Sequence, residues 1–246
     1  MRLMIFSDVH GNLEALEAVL AHGQQQIVHR YMCLGDLVGY GPQPEECIQR
    51  VRRLAKCRVI AGNHDLATLW ETSPYAMSSA AQKVVLWTME QLSQTSKDYL
   101  ASLPDRLDLS GMTFAHANPY NPRGWRYVFD RKHALRCFAA THSQLLFIGH
   151  SHRPLVITRN AGFSLDIQPV PGTIRYRVNS RRRRIFNCGS VGQPRDKDNR
   201  ACYVIVDTQS QHVEFFRVPY AVEKTARAAR RAGLPALLGK RLKKGM

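Results

Sequence analysis

Eight side chains able to bind metal or move protons stand where short apolar runs stop. Asp8 and His10 follow Leu3 to Phe6, Asp36 follows Tyr31 to Leu34, and Asn63 and His64 follow Val59-Ile60. His116 closes the run Met112-Thr113-Phe114-Ala115, and His150 and His152 follow Leu145 to Ile148. Five of the ten histidines fall in this set. As structural residues, each would need its own hydrogen-bond partner once buried, so a shared site is the simpler reading. A mixture of imidazole, carboxylate and amide suits Mn²⁺, Fe²⁺, Zn²⁺ or Ni²⁺ better than the all-oxygen shells of Ca²⁺ and Mg²⁺. So many ligands exceed what one ion needs. Divided between two ions about 3.5–4 Å apart, with one carboxylate bridging, they leave open positions for water and substrate. Gly62, just before Asn63-His64-Asp65, is expected to turn the backbone sharply enough to present these side chains together.

The elements that position them are legible from periodicity. Leu3 to Phe6 reads as a buried strand, and Leu13, Leu16, Val19 and Leu20 recur at helical spacing behind a capping Asn12. A second strand, Tyr31 to Leu34, ends at Gly35-Asp36, and Pro44-Glu45-Glu46 opens a helix that turns Ile48, Val51 and Leu54 inward. The third strand, Arg58 to Ala61, delivers Asn63 and His64. Three β-loop-α units predict a predominantly parallel sheet with its site outside the carboxyl ends of the strands. Helices follow between Ser78 and Leu103, and the segments 107–109 and 112–114 form a hairpin around Ser110-Gly111. The segment from Asn118 to Trp125 is a candidate substrate loop. A helix from Arg131 to Ala140 precedes the strand Leu145 to Ile148. Short strands, expected to be antiparallel, follow at 155–158, 174–178, 185–187, 203–206 and 213–216, with the glycine-rich turn Gly189 to Asp196 among them.

Composition narrows the function classes. A hydrophobic content of 44% is that of a water-soluble globular chain, and no apolar run approaches the roughly 20 residues that span a bilayer. The apolar segment before Asp8 is too short for a signal peptide, so a cytoplasmic protein is expected. Six scattered cysteines without a C-x-x-C pair imply free, mostly buried thiols. The net charge of +16 is partly local: eight Lys or Arg against one acidic residue follow Pro219, and Arg181 to Arg184 form a run. One domain over residues 1–246 is expected, with 219–246 a basic helical extension acting as a packed lid.

The ordered blocks Asp-x-His, Gly-Asp, Gly-Asn-His-Asp, His and Gly-His-x-His resemble the calcineurin-like metallophosphoesterase superfamily over residues 3 to about 206. The stretches Gly35 to Pro42 and Gly189 to Asp196 resemble its small bacterial and archaeal branch that includes the YfcE-like phosphodiesterases. The resemblance implies an α/β fold, a four-layer α/β/β/α sandwich. It implies that Asp8, His10 and His152 hold one metal, that Asn63, His116 and His150 hold the other, and that Asp36 bridges them. A hydroxide between the ions would attack phosphorus, and His64 would protonate the leaving oxygen; whether Asp65 orients it stays open. Phosphatases of the superfamily carry a phosphate-binding arginine shortly after the Gly-Asp block, where this chain reads Gly39-Tyr40-Gly41. Its absence favours diesters over dianionic monoesters. Tyr40, Arg126 and Arg195 are the candidate substrate contacts.

The expected activity is therefore a dinuclear phosphodiesterase on a small phosphorylated, nucleotide-like substrate. A phosphomonoesterase, a dinucleoside polyphosphate hydrolase and a non-catalytic scaffold on the same fold are the alternatives. Nucleic acid is not the favoured partner, because Arg181 to Arg184 lack interleaved aromatics and read as a solvated hairpin tip. A homodimer through the C-terminal helices is the minority reading of that segment. His22, His29, His133, His142 and His212 read as surface or capping residues.

Overall fold

The computed structural model describes residues 1–160, 164–178 and 182–246. The chain opens as three β-loop-α units. Strand β1 (Arg2–Phe6) leads to helix α1 (Leu13–Gln25), β2 (Arg30–Cys33) to α2 (Pro44–Arg52), and β3 (Cys57–Val59) to the short α3 (Asn63–Ala67). Asn12 starts α1 by accepting the Ala15 N–H, and Pro44, Glu45 and Glu46 occupy the first turn of α2, where a missing N–H and negative charge are both favourable. Helices α4 (Ser79–Gln91) and α5 (Gln94–Ala101) precede the hairpin β4 (Arg106–Leu109) and β5 (Met112–Ala115). Helix α6 (Arg131–Ala139) then leads to β6 (Leu145–Ile148), β7 (Leu155–Arg159), β8 (Leu165–Pro169), β9 (Arg175–Arg177), β10 (Arg184–Asn187), β11 (Ala201–Asp207) and β12 (His212–Val218). Helices α7 (Val222–Arg231) and α8 (Ala236–Lys244) follow.

The strands form two six-stranded sheets, β3-β2-β1-β11-β12-β9 and β4-β5-β6-β10-β7-β8. Both are mixed, which corrects the predominantly parallel sheet expected from the first three units. Strands β1, β2 and β3 are parallel, but β11 returns antiparallel against β1 and carries the antiparallel β12 and β9. In the second sheet β5, β6 and β10 are parallel, while β4, β7 and β8 complete it antiparallel. The parallel strands bring their carboxyl ends, with Asp8, Asp36, His116 and His150 just beyond them, to one rim. Strand β8 escapes a hydrophobic reading because four of its five residues are exposed at the sheet edge and it ends in Pro169.

Alternation along β1 explains the layers. Met4 and Phe6 face α1 and α2, packing with Leu16, Val19, Leu20, Ile48 and Val51, whereas Leu3 and Ile5 face the second sheet. Between the sheets Phe114, Phe147, Phe186 and Phe215 form a column with ring separations of 5.6, 5.4 and 6.2 Å, the first two pairs stacked and the third tilted. The far side of the second sheet packs Leu146, Ile148, Ile157 and Ile185 against Phe138 of α6. Helix, sheet, sheet and helix are thus stacked as the resemblance implied. Helix α7 is tied to the start of α1 by the Thr225 hydroxyl on Asn12, and α8 buries Leu238 and Leu242.

Within the arginine run Arg182 is exposed, as a solvated tip requires, but Arg183 and Arg184 depart from that expectation. Arg181 lies outside the described residues. Arg183 donates to the carbonyls of Phe138, Thr141 and Ser143 at the end of α6, and Arg184 reaches the Arg177 carbonyl and the Thr158 hydroxyl. Among the described residues the cysteines are unpaired, five buried and Cys57 half-buried. No helix among them is long and apolar enough to cross a membrane.

Phe186 stands midway in the aromatic column and carries the contact between the sheets. Phe186→Ala is expected to cost about 3–5 kcal/mol in urea unfolding; a loss below about 1 kcal/mol would show that the column does not join the two sheets.

Candidate metal centre

The rim assembles Asp8, His10, Asp36, Asn63, His64, His116, His150 and His152 into one buried cluster, apart from the half-buried His150. Holding them there requires unusual backbone. Asp8, His10, Asp36, Tyr40, His150 and His152 all take positive φ, between 51° and 64°, a region that costs a non-glycine residue about 1 kcal/mol or more. The loops are locked by hydrogen bonds that replace this cost. Asp8 N–H donates to Gly35 O, His10 N–H to Asp36 O, and Gly192 N–H to Asp8 O, at 2.9–3.0 Å.

Asp65 has a definite role. Its carboxylate accepts the N–H groups of Asp36 and Leu37 at 2.8 Å, Gly62 at 3.0 Å and Val38 at 3.3 Å. It fastens the Asp36 loop to the α3 turn rather than orienting His64. Burial, and then the charge of Asp36, push this carboxyl up, and the N–H groups pull against that shift. Gly62 also works differently from the expected sharp turn. Its φ of −104° and ψ of 168° are extended, and glycine is needed because a Cβ would strike the Asp36 carboxylate. Likewise, a Cβ on Gly39 would strike the His64 ring.

Carbonyl groups set the tautomers. Val38 O lies 2.9 Å from His10 Nδ1, Leu34 O 2.7 Å from His116 Nδ1, and Gln193 O 2.5 Å from His152 Nδ1, so each donates there and turns Nε2 inward. His150 is reversed: its Nε2 donates to Trp125 O at 3.0 Å. The inward atoms crowd together. His10 Nε2 and His152 Nε2 are 3.1 Å apart, and Asp8 Oδ1 lies 3.3 Å from the latter and 3.7 Å from the former. Asp36 Oδ2 lies 3.3 Å from His116 Nε2 and 3.6 Å from His10 Nε2, between the two halves of the cluster. Asn63 Oδ1 is 3.2 Å from His116 Nε2. Asp8 Oδ1 and Asp36 Oδ2 are buried without a hydrogen-bond partner among the described residues.

Charge follows from burial. Burial drives His10 and His152 well below the usual imidazole range and lowers His64 to about 4 and His150 to about 3, so all four are neutral. Neutral His10 and His152, with their protons on Nδ1, point two lone pairs at each other. Burial also pushes Asp8 up to about 7. For His116 burial works downward, but the Asp36 carboxylate outweighs it and lifts the imidazole to about 9. Opposed lone pairs and unpartnered carboxylate oxygens are the arrangement a cation relieves, so the residues fit divalent metal. Two ligand groups, Asp8 with His10 and His152, and Asp36 with His116 and His150, each converge within 4.8 Å, as does His10 with Asp36 and His64.

Residues 1–211 match the calcineurin-like phosphoesterase superfamily domain. The chain belongs to that superfamily. Its members are hydrolases that bind divalent metals and act on small phosphorylated substrates, and this chain is such a phosphoesterase. An uncharacterised protein of Methanocaldococcus jannaschii is 34% identical over 244 residues, 98% of this chain and 96% of that one. The crystal structure of a metallophosphoesterase from Sphaerobacter thermophilus superposes with a TM-score of 0.89 at 39% identity, covering 100% of this chain and 99% of that one. A hypothetical protein of Pyrococcus horikoshii shares the fold, with a TM-score of 0.80 at 20% identity and coverage of 100% and 98%.

In this phosphoesterase a pocket of about 400 Å³ opens over Asp36, Asn63, His64, His150 and His152. Tyr40 and Arg195 line it: the Tyr40 ring packs 4.6 Å from His64, and the Arg195 guanidinium lies over that ring at 5.3 Å while bonding Gln193. Arg126 is exposed and is not brought to the pocket. Tyr127, stacked 4.6 Å from His150, and Arg241 of α8 line the pocket without having been anticipated. The alternation Trp125, Tyr127, Phe129 was a signal for the first; a lone arginine in a basic helix offers none for the second.

Asp65→Ala removes one acceptor from four buried N–H groups. It is expected to lower stability by about 2 kcal/mol or more and to reduce bound Mn²⁺, read by unfolding and by elemental analysis. Full metal content at unchanged stability would contradict the fastening role.

Proposed function

We propose that this phosphoesterase hydrolyses phosphodiesters at a two-metal centre. The observation that carries the reading is the meeting of two ligand groups at Asp36, whose Oδ2 faces both His10 and His116. Asp8, His10 and His152 would hold one ion and Asn63, His116 and His150 the other, with Asp36 shared; Mn²⁺, Fe²⁺, Zn²⁺ or Ni²⁺ suit these donors. When bound, the metals lower the pKa of water and neutralise charge on the phosphoryl oxygens.

The protein's own residues supply position and the proton. The carbonyls of Val38, Leu34, Gln193 and Trp125 fix which nitrogen each imidazole presents. His64 stands beside the cluster, its N–H backbone bonded to Asp36 Oδ1 at 2.8 Å and its Nδ1 buried without a partner among the described residues. Free His64 is neutral, so its protonation is coupled to the arrival of a negatively charged phosphoryl group, after which it delivers the proton to the leaving oxygen.

Diester preference rests on the cations available. No arginine occupies the place after Gly35-Asp36, and Arg195, which reaches the same wall, already engages Gln193 and the Tyr40 face. Such a guanidinium offers less than a free fork to a dianionic monoester, and Arg241, the other arginine lining the pocket, stands on α8 and not on the loops that carry the metal ligands.

The test is turnover of bis(p-nitrophenyl) phosphate against p-nitrophenyl phosphate with Mn²⁺ or Ni²⁺. Higher kcat/KM on the diester is expected, and monoester preference would overturn the diesterase assignment. His64→Ala is expected to lower kcat about 10²–10⁴-fold with metal content retained; full activity would remove His64 from the acid role.

A further inference from the structure

Helix α8 lies beyond residues 1–211 matched by the superfamily domain, yet it borders the reaction pocket. Several contacts hold it in place. Leu238 packs with Val84 of α4 and against Tyr40, and Leu238 and the buried Leu242 line one small cavity with Tyr40, Gly41 and Gln193. The end of the helix is tied to the loop after Arg195: Lys197 N–H donates to Gly245 O at 2.9 Å, and Asn199 donates to Lys243 O at 3.2 Å. With these neighbours fixed, Arg241, one residue before Leu242, is directed into the pocket and half-buried there.

Charge in the pocket is one-sided. Arg195 and Arg241 are the arginines among the described residues lining it, and Asp36, committed to the metal cluster, is the carboxylate. Arg241 makes no hydrogen bond or ion pair with any described residue through its guanidinium. By contrast, the exposed Lys243 of α8 and Lys224 of α7 pair with Glu223 and Glu14. A half-buried guanidinium left unpaired beside a pocket is a binding group for an anion, and its planar fork matches phosphate oxygens. The scissile phosphoryl group is already served by the metal cluster and bordered by Arg195.

We infer that Arg241 binds a second phosphate on the substrate, so that the substrate class is a phosphodiester with a terminal phosphate on one arm. This rests on the phosphoesterase reading and deepens it. It also gives α8 a part in specificity, placing a selecting group on an element outside the matched domain.

The experiment compares thymidine 5′-(p-nitrophenyl phosphate) with the same ester carrying a 3′-phosphate, on metal-loaded wild type, Arg241→Ala and Arg241→Lys. In the wild type KM is expected to be about tenfold lower for the 3′-phosphorylated ester, the scale of one charge-assisted contact. The ratio is expected to fall to about one in Arg241→Ala and to recover in part in Arg241→Lys. Calorimetric titration of thymidine 3′,5′-bisphosphate against thymidine 5′-monophosphate should show the same preference and the same loss, independently of turnover. A ratio near one in the wild type, an unchanged ratio in Arg241→Ala, or an equal loss on both esters overturns the proposal. If the wild type hydrolyses neither ester, the phosphodiesterase reading fails, and the titration alone decides whether Arg241 holds the second phosphate.

Discussion

Everything at the rim depends on one electrostatic constraint: buried lone pairs aimed at one another. His10 and His152 present Nε2 atoms 3.1 Å apart, each with its proton on the opposite nitrogen, and two carboxylate oxygens face the same space without hydrogen bonds among the described residues. In water such groups would turn outward or take up protons; here burial keeps His10, His64, His150 and His152 neutral. Bound positive charge would relieve the arrangement.

The rest of the fold keeps those groups from escaping. Two mixed sheets, joined by the column of Phe114, Phe147, Phe186 and Phe215, bring parallel strand ends from both to one rim. Left-handed backbone at six rim residues directs the side chains inward, and the Asp65 carboxylate locks the loop that carries Asp36. Stability and site are therefore coupled. The core supplies the free energy that holds strained loops, and the loops cannot relax without breaking several buried hydrogen bonds at once.

Much of this was legible in the sequence because ligand types followed apolar runs at regular intervals. The strands ending before Asp8, Asp36, Asn63 and His116, the helices they alternate with, and the convergence of the histidines all came from that pattern. The four-layer stacking came from the resemblance. What stayed hidden was set by long-range contact. Strand β11 pairs antiparallel with β1 from the far end of the chain, Arg2 against Asp207, and no local pattern announces the mixed sheet. Gly62 looked like a turn residue, but its reason is the approach of Asp36 from another loop. The sequence left open whether Asp65 orients His64; its partners are the N–H groups of Asp36, Leu37 and Val38 beyond the neighbouring strand and of Gly62 on its own turn. Arg183 was taken for part of a solvated tip and instead closes the carbonyl end of α6. Strand β8 was missed because edge strands need little apolar surface.

The central claim is that the opposed lone pairs exist to hold two cations that share Asp36. Anomalous diffraction at the Mn edge from crystals grown with Mn²⁺ tests it most directly. The account predicts two peaks about 3.5–4 Å apart, one against Asp8, His10 and His152, the other against Asn63, His116 and His150, with Asp36 touching both. A single peak, or two peaks that leave Asp36 unshared, would contradict it.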